Sequence, residues 1–99
     1  MRYWRVLVKP GDGRQFFTRA VEISAHRARL RGDQALPAGL ECDLQIFVPP
    51  PNDQQPPALA GLRAEVGAVV FASGDIRLEF RVKSLSDEAR QLIDARRPG

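Results

Sequence analysis

The strongest constraint on the fold is an alternation of apolar and polar side chains. It is clearest in residues 41–48 and 76–83, where every second residue is apolar. A period of two places one set of side chains on each face of a β-strand. Both segments are therefore predicted to be strands with one buried face. Cys42 falls on the apolar face of the first strand, which favours a buried and unreactive thiol.

Four further segments have strand character: residues 3–9, 14–23, 26–31 and 62–72. Turn-forming residues at 10–13 and 73–75 are expected to close two hairpins. The proline-rich stretch between residues 49 and 57 cannot donate a hydrogen bond at any proline, so it is predicted to be an exposed loop.

The apolar period changes near the C-terminal end of the chain. Ser86, followed by Asp87 and Glu88, is typical of a helix N-terminus. One face of this helix carries Leu85, Ala89, Leu92, Ile93 and Arg96. We therefore predict an all-β chain with one C-terminal α-helix: a small six-stranded antiparallel β-barrel, with the helix over one opening. A length of 99 residues suits a single domain, residues 1–99.

The composition disfavours several functional classes. Cys42 is the single cysteine and His26 the single histidine. A zinc site needs three or four ligands, and a Ser or Cys nucleophile needs a histidine base held by a carboxylate. We therefore expect a protein that is not an enzyme and uses no metal and no cofactor. No apolar run approaches the roughly 18 residues of a membrane-spanning helix and no signal peptide is evident, so we expect a cytoplasmic protein without membrane insertion.

The order of the segments resembles the PilZ domain family over nearly the whole chain. The resemblance is carried by residues 21–30, residues 36–44, and residues 76–80 running into residues 85–90. Members of the family bind cyclic di-GMP through two signatures. One is a pair of arginines separated by three residues before the first strand. The other is Asp or Asn, then Ser two residues later, then Gly three residues after that. The resemblance thus implies a candidate cyclic di-GMP site at Arg2, Arg5, Glu22, Ser24 and Arg27.

The chain departs from the family pattern at three points. Arg2 and Arg5 are separated by two residues, Glu22 replaces Asp or Asn, and Arg27 replaces Gly, so that only Ser24 matches. Arg2 follows the initiator methionine, so the arginine-bearing arm is expected to be nearly absent. The longer Glu22 side chain is expected to cost about 1 kcal/mol of affinity. Arg27 is expected to crowd the ligand, and a required positive φ would cost roughly 1–2 kcal/mol, although its guanidinium could instead contact a phosphate.

Three functions remain open. The first is a non-catalytic PilZ-like adaptor of the cyclic di-GMP system, which acts mainly through a protein partner and binds the nucleotide weakly or not at all. Its expected exposed anchors are Tyr3, Trp4, Phe47 and Phe71. The second is a functional cyclic di-GMP receptor that uses the five candidate residues.

The third function is a small nucleic-acid-binding barrel. Thirteen of the fifteen basic residues are arginine, whose planar fork suits phosphate, although a GC-rich genome would produce the same bias. The phosphate-tracking surface would consist of Arg27, Arg29, Arg31, Arg63, Arg77 and Arg81. Residues 27–31 contain no aromatic side chain for base stacking, so nucleic acid is disfavoured as a partner.

Overall fold

A computed structural model of the protein describes residues 4–50 and 54–95. These residues form six antiparallel strands that close into a barrel in the order β1-β2-β3-β6-β5-β4. The predicted six-stranded barrel with a C-terminal helix is confirmed. The elements are β1 (Arg5–Lys9), β2 (Phe16–Ile23), β3 (Arg27–Gly32), β4 (Glu41–Val48), β5 (Ala58–Ala72), β6 (Asp75–Leu85) and α1 (Asp87–Ala95).

Several strand boundaries differ from the sequence prediction, and the differences at the starts of β2 and β5 have a clear structural reason. β2 begins at Phe16 because Arg14 belongs to the preceding turn, where its backbone nitrogen donates to Asp12 Oδ1 at 3.0 Å. β5 begins at Ala58, four residues earlier than expected, because its first residues pair with the end of β4, Ala58 opposite Val48. The predicted β5–β6 hairpin is confirmed, and its turn contains Gly74 with a φ of 86°.

The core fills the interior of the barrel. The predicted apolar face of β4 is buried, and so are the alternate residues of β3 and β6, with Phe80 the largest side chain among them at 1% exposure. Thr18 is the buried polar residue of the described chain, and its hydroxyl donates to the Val6 carbonyl oxygen at 3.0 Å. Leu36, from the β3–β4 connection, adds a further buried side chain.

Two of the three register shifts in the described sheet determine which side chains point outward on the face considered below. In β2, Ala20 pairs with Leu30 and Glu22 with Arg29, so Val21 is an extra residue. A bulge of this kind shifts the alternation by one residue. Val21 and Glu22 are consequently both exposed, and Ile23 returns to the core. A second irregularity, at Gly67 in β5, turns Val69 toward the core and Val70 outward.

The helix begins where the sequence predicts. The Ser86 hydroxyl oxygen accepts a hydrogen bond from the Ala89 backbone nitrogen at 3.1 Å, as expected for an N-cap. The helix packs against β5 and adds Ala89 and Ile93 to the barrel core. Leu85, expected on the helix, belongs instead to β6, and Arg96 lies outside the described residues. Across residues 4–50 and 54–95, no helix has the length and apolar character needed to cross a membrane.

Candidate functional site on the outer barrel face

The turn between β2 and β3 brings together three of the five candidate residues. The Ser24 hydroxyl oxygen accepts hydrogen bonds from the backbone nitrogens of His26 at 3.3 Å and Arg27 at 3.2 Å. The Ser24 backbone nitrogen donates to the Arg27 carbonyl oxygen at 2.9 Å. Such bonds let a serine side chain stand in for a backbone turn. The Ser24 side chain therefore closes the hairpin.

Glu22 projects outward from the bulge in β2. Its Oε2 atom lies 3.5 Å from the Arg29 Nη1 atom, and the two side chains are 51% and 39% exposed. Exposed ion pairs of this kind contribute about 0–1 kcal/mol. A ligand could displace this pairing at small cost, so the pairing by itself lowers nucleotide affinity only modestly.

Arg27 occupies an ordinary strand conformation. It is the first residue of β3, is exposed, and pairs in register with Arg81 of β6. No described residue other than glycine has a positive φ, so the strain expected at Arg27 is not found. The strand begins at this position, and extended backbone accommodates any side chain. The remaining difference from the family pattern at this position is the bulk and charge of the arginine side chain, where the pattern has glycine.

Arg5 lies away from the hairpin, and Arg2 lies outside the described residues. Arg5 pairs in register with Arg19, and Glu22 follows three residues further along β2, which is roughly 10 Å of strand. The Arg5 guanidinium carbon lies 4.2 Å from the Phe17 ring centroid and 5.9 Å from that of Phe47. Arg5 is thus held by two aromatic rings rather than by the candidate motif.

The expected exposed anchors have different outcomes. Trp4 is 4% exposed and belongs to the core, so its expected exposure is wrong: the side chain packs with the apolar interior of the barrel. Phe71 is 72% exposed and Phe47 is partly buried, whereas Tyr3 lies outside the described residues. Phe17, which was not predicted as an anchor, is 48% exposed. Phe17 has the same odd-numbered parity as Arg19 in β2, and this alternation was the sequence signal for its exposure.

Four arginines form a row across four neighbouring strands, and we call this set the arginine row. Arg5 pairs with Arg19, Arg19 with Arg31, and Arg31 with Arg77. All four side chains are exposed. The sequence shows three arginines along β3, but it does not show this row, because the row depends on the register between strands.

One carboxylate among the described residues contacts two members of the arginine row. Asp75 accepts from the Arg31 Nε atom at 2.8 Å, and its Oδ1 atom lies 4.0 Å from the Arg77 Nε atom. Two residues from Arg31 and Arg77, Glu79 of β6 pairs in register with Arg29 of β3. Arg5 contacts the Phe17 and Phe47 rings and forms no ion pair with a carboxylate of residues 4–50 and 54–95.

Five of the six arginines proposed for nucleic acid lie on the adjacent strands β3 and β6, and Arg63 lies on β5. Arg63 lies on the outer face of β5 beside β4, where it pairs with Asp43 at 3.0 Å and Glu41 at 3.4 Å. Arg81 pairs with Glu65, and this hydrogen bond lowers the pKa of the Glu65 carboxyl group. The expected phosphate-tracking set is therefore divided between separate ion pairs.

Cys42 and His26 are the residues that the sequence offered for nucleophilic or metal chemistry. Cys42 is fully buried, and this burial raises the pKa of its thiol to about 11. The thiol is consequently protonated and unreactive at neutral pH. His26 is exposed in the β2–β3 turn. Within residues 4–50 and 54–95, no group of three His, Cys, Asp or Glu side chains is arranged to hold a metal ion.

Comparison with known proteins identifies the architecture. No protein-family model matches the chain, and no curated protein matches it. The solved structure of Bacillus subtilis Inhibitor of motility (MotI/DgrA) is similar, with a TM-score of 0.79 over 96% of this chain. The fold is PilZ-like. Sequence identity to that protein is 14%, so the similarity concerns the fold alone, and this chain covers 45% of the other one.

Proposed function

We propose that the chain is a non-catalytic PilZ-like adaptor domain of bacterial cyclic di-GMP signalling. It acts mainly through protein–protein contacts, binds the nucleotide weakly or not at all, and uses no cofactor. In this proposal residues 1–99 form one domain that works in the cytoplasm. The PilZ-like fold supports the membership of this signalling class, and the state of the β2–β3 hairpin supports the weak binding.

The observation that carries the proposal is the use of the Ser24 side chain within its own turn. Its hydroxyl oxygen accepts from two backbone N–H groups, and the same hydroxyl lies 3.4 Å from the Arg27 carbonyl oxygen. A nucleotide that recruits this hydroxyl must compete with those bonds, each of which has a net value of about 1 kcal/mol. The one residue that matches the family signature is therefore already engaged.

The other departures add to this cost. Displacing the Glu22–Arg29 pair costs up to about 1 kcal/mol, and the longer Glu22 side chain costs about as much again. The Arg27 side chain occupies the position where the family pattern has no side chain at all. Every 1.4 kcal/mol, roughly, weakens a dissociation constant tenfold, so these terms together support a loss of about a hundredfold or more.

The contact role is supported by exposed aromatic and arginine side chains on the outer face. Phe17 is 48% exposed, and Arg5 lies over its ring. Phe71 is 72% exposed near the tip of the β5–β6 hairpin. Aromatic residues and arginine are the side chains most enriched in protein interfaces.

One observation favours the second candidate, a functional cyclic di-GMP receptor. Arg5 and Arg27 are exposed, and the ion pairs recorded for the described chain involve neither of them. Their guanidinium edges can therefore donate to phosphate oxygens. The roughly 10 Å of strand between Arg5 and Glu22 counts against one compact ligand engaging both residues.

Calorimetric titration of the folded protein with cyclic di-GMP at low salt tests the proposal. We expect a dissociation constant weaker than the micromolar range, with cyclic di-AMP giving the same small heats as a control. A saturable interaction at micromolar concentration or tighter, seen with cyclic di-GMP alone, would assign the chain to the receptor class instead.

A further inference from the structure

The arginine row is an arrangement that stability alone does not favour. Arg5, Arg19, Arg31 and Arg77 place three like-charge pairs directly opposite one another on successive strands. Like charges in that position are destabilising. Arg31 and Arg77 share one carboxylate, that of Asp75. The row therefore presents a concentrated positive potential on the outer face of the barrel.

Apolar side chains lie at both ends of the arginine row. Phe47 pairs in register with Arg5 at one end, and Val70 pairs with Arg77 at the other. Val70 lines a shallow groove over β3 and β6 together with Val21, Arg29, Leu30, Arg77 and Glu79. Val21 and Val70 are each 44% exposed because the two bulges turn them outward. The surface thus has a charged centre with an apolar contact on either side.

From this arrangement we propose that the arginine row and its apolar ends form a docking surface for an extended, acidic segment of a partner protein. The inference rests on the proposed function, because it specifies the chemistry of the protein partner. Neighbouring strands are about 4.8 Å apart, so the four arginines span about 14 Å. In an extended peptide, alternate residues repeat about every 7 Å, so three acidic side chains on one face cover the same length.

The anchoring end of the surface is Arg5. Its guanidinium carbon lies 4.2 Å from the Phe17 ring centroid, and this cation–π contact limits the freedom of the side chain. Phe17 and Phe47 have ring centroids 5.9 Å apart, so the two rings hold Arg5 from one side. A carboxylate that accepts two parallel hydrogen bonds suits such a pre-ordered fork.

The same details favour a polypeptide over a nucleic acid. Base stacking needs an open aromatic face, and the Phe17 face is covered by Arg5. The next row contains Glu22 and Glu79, one on each side of Arg29, so the positive surface is narrow. A phosphate backbone follows a broad basic surface, whereas one acidic strand needs only a single row with apolar contacts at its ends.

The test uses a short synthetic peptide in which glutamate and leucine alternate, labelled with fluorescein. Anisotropy at low salt is expected to show saturable binding, and amide chemical shifts should map to the arginine row and to the groove around Val70. The double variant R5Q/R77Q should weaken binding about tenfold. The matched control is Arg63→Gln. Arg63 is about as exposed as Arg77, 49% against 47%, but it lies on a different face of the barrel. It should change the affinity less than about twofold.

Two further arms keep the result specific. A peptide with serine in place of leucine should bind about tenfold more weakly if the apolar ends contribute, and an oligothymidylate of equal charge should bind more weakly than the glutamate–leucine peptide. Because Arg5 also packs on two rings, Arg77→Gln alone provides a variant that leaves those contacts intact, with an expected loss of about threefold.

The inference fails if the shifts map to the β4–β5 face, if R63Q and R5Q/R77Q lose equal affinity, or if oligothymidylate binds more tightly than the peptide. These outcomes are independent of the nucleotide titration. Tight cyclic di-GMP binding would overturn the proposed function, whereas failure of the peptide to recognise the arginine row, with no nucleotide bound, would overturn this inference alone.

Discussion

The Ser24 hydroxyl oxygen lies 3.2 Å from the backbone nitrogen of Arg27, across the turn that joins β2 to β3. The resemblance to the PilZ family aligns these two positions with the serine and the glycine of its signature. In this chain the serine is engaged in closing the turn and the glycine is replaced by a charged strand residue. The Ser24 side chain thus has a structural role in the hairpin, and under the proposed function recognition falls mainly to the arginines and aromatic rings of the outer face.

Under the proposed function, changing the hairpin to match the PilZ signature should strengthen cyclic di-GMP binding. In the double variant Glu22→Asp with Arg27→Gly, the carboxylate is shorter and the side chain at the glycine position is removed. We expect cyclic di-GMP binding to strengthen about tenfold or more, as roughly 1–2 kcal/mol of obstruction is relieved. Calorimetry measures this gain. Arg29→Gln, which removes only the partner of Glu22, should strengthen binding by less than about fivefold. Equal affinities in the wild type and the double variant would show that these departures do not limit binding.

Arg27 should reduce the stability of the barrel. It lies opposite Arg81, and threonine both removes the like-charge pair and suits a strand. Arg27→Thr is therefore expected to raise the free energy of unfolding by about 0.5 kcal/mol at low salt. Urea unfolding measures the change, and high salt should shrink it. A decrease in stability, or a gain that does not respond to salt, would contradict this account of the pair.

Cys42 should make stability fall in alkaline solution. Burial raises the pKa of its thiol from 9.0 to about 11, so the unfolded chain releases the proton first. This contribution to the unfolding free energy is intact below about pH 9 and is lost as pH rises toward about 11, by roughly 2–3 kcal/mol. Urea unfolding across this range should show a steeper loss for the wild type than for Cys42→Ala. Parallel curves for the two proteins would refute the assignment.

The N-cap of α1 should contribute to stability. The Ser86 hydroxyl accepts from the Ala89 backbone nitrogen at 3.1 Å, and Ser86→Ala removes that acceptor. The expected loss in the free energy of unfolding is about 1 kcal/mol. Ser84→Ala is a suitable control, since Ser84 is an exposed residue of β6 and should change stability by less than about 0.5 kcal/mol. If both variants lose the same amount, the cap is not the cause.

The sequence predicted the barrel because side-chain alternation follows directly from strand geometry. Alternation places Ala28, Cys42 and Phe80 on the buried faces of β3, β4 and β6, so these faces could be assigned from the sequence. The bulges at Val21 and Gly67 could not, because an extra residue in one strand is defined only by the partner opposite it. Trp4 was misplaced although it has the same even-numbered parity as the buried Val6 and Val8, so alternation along β1 was the signal that would have placed it in the core.

The candidate site was predictable in part. The clustering of Glu22, Ser24 and Arg27 follows from their closeness in the sequence, and the hairpin brings them together. Their engagement in the turn and with Arg29 depends on side-chain geometry that no motif specifies. The arginine row depends on register across four strands, so it could be found only from the pairing of the folded sheet.

The most direct test of the weak-binding claim is an amide chemical-shift titration of the wild-type domain with excess cyclic di-GMP at low salt. The proposal predicts that the signals of Ser24, His26 and Arg27 stay in place, or move without saturating in the micromolar range. Saturable shifts at these three residues at micromolar ligand would contradict it, because the hairpin would then be a working nucleotide site.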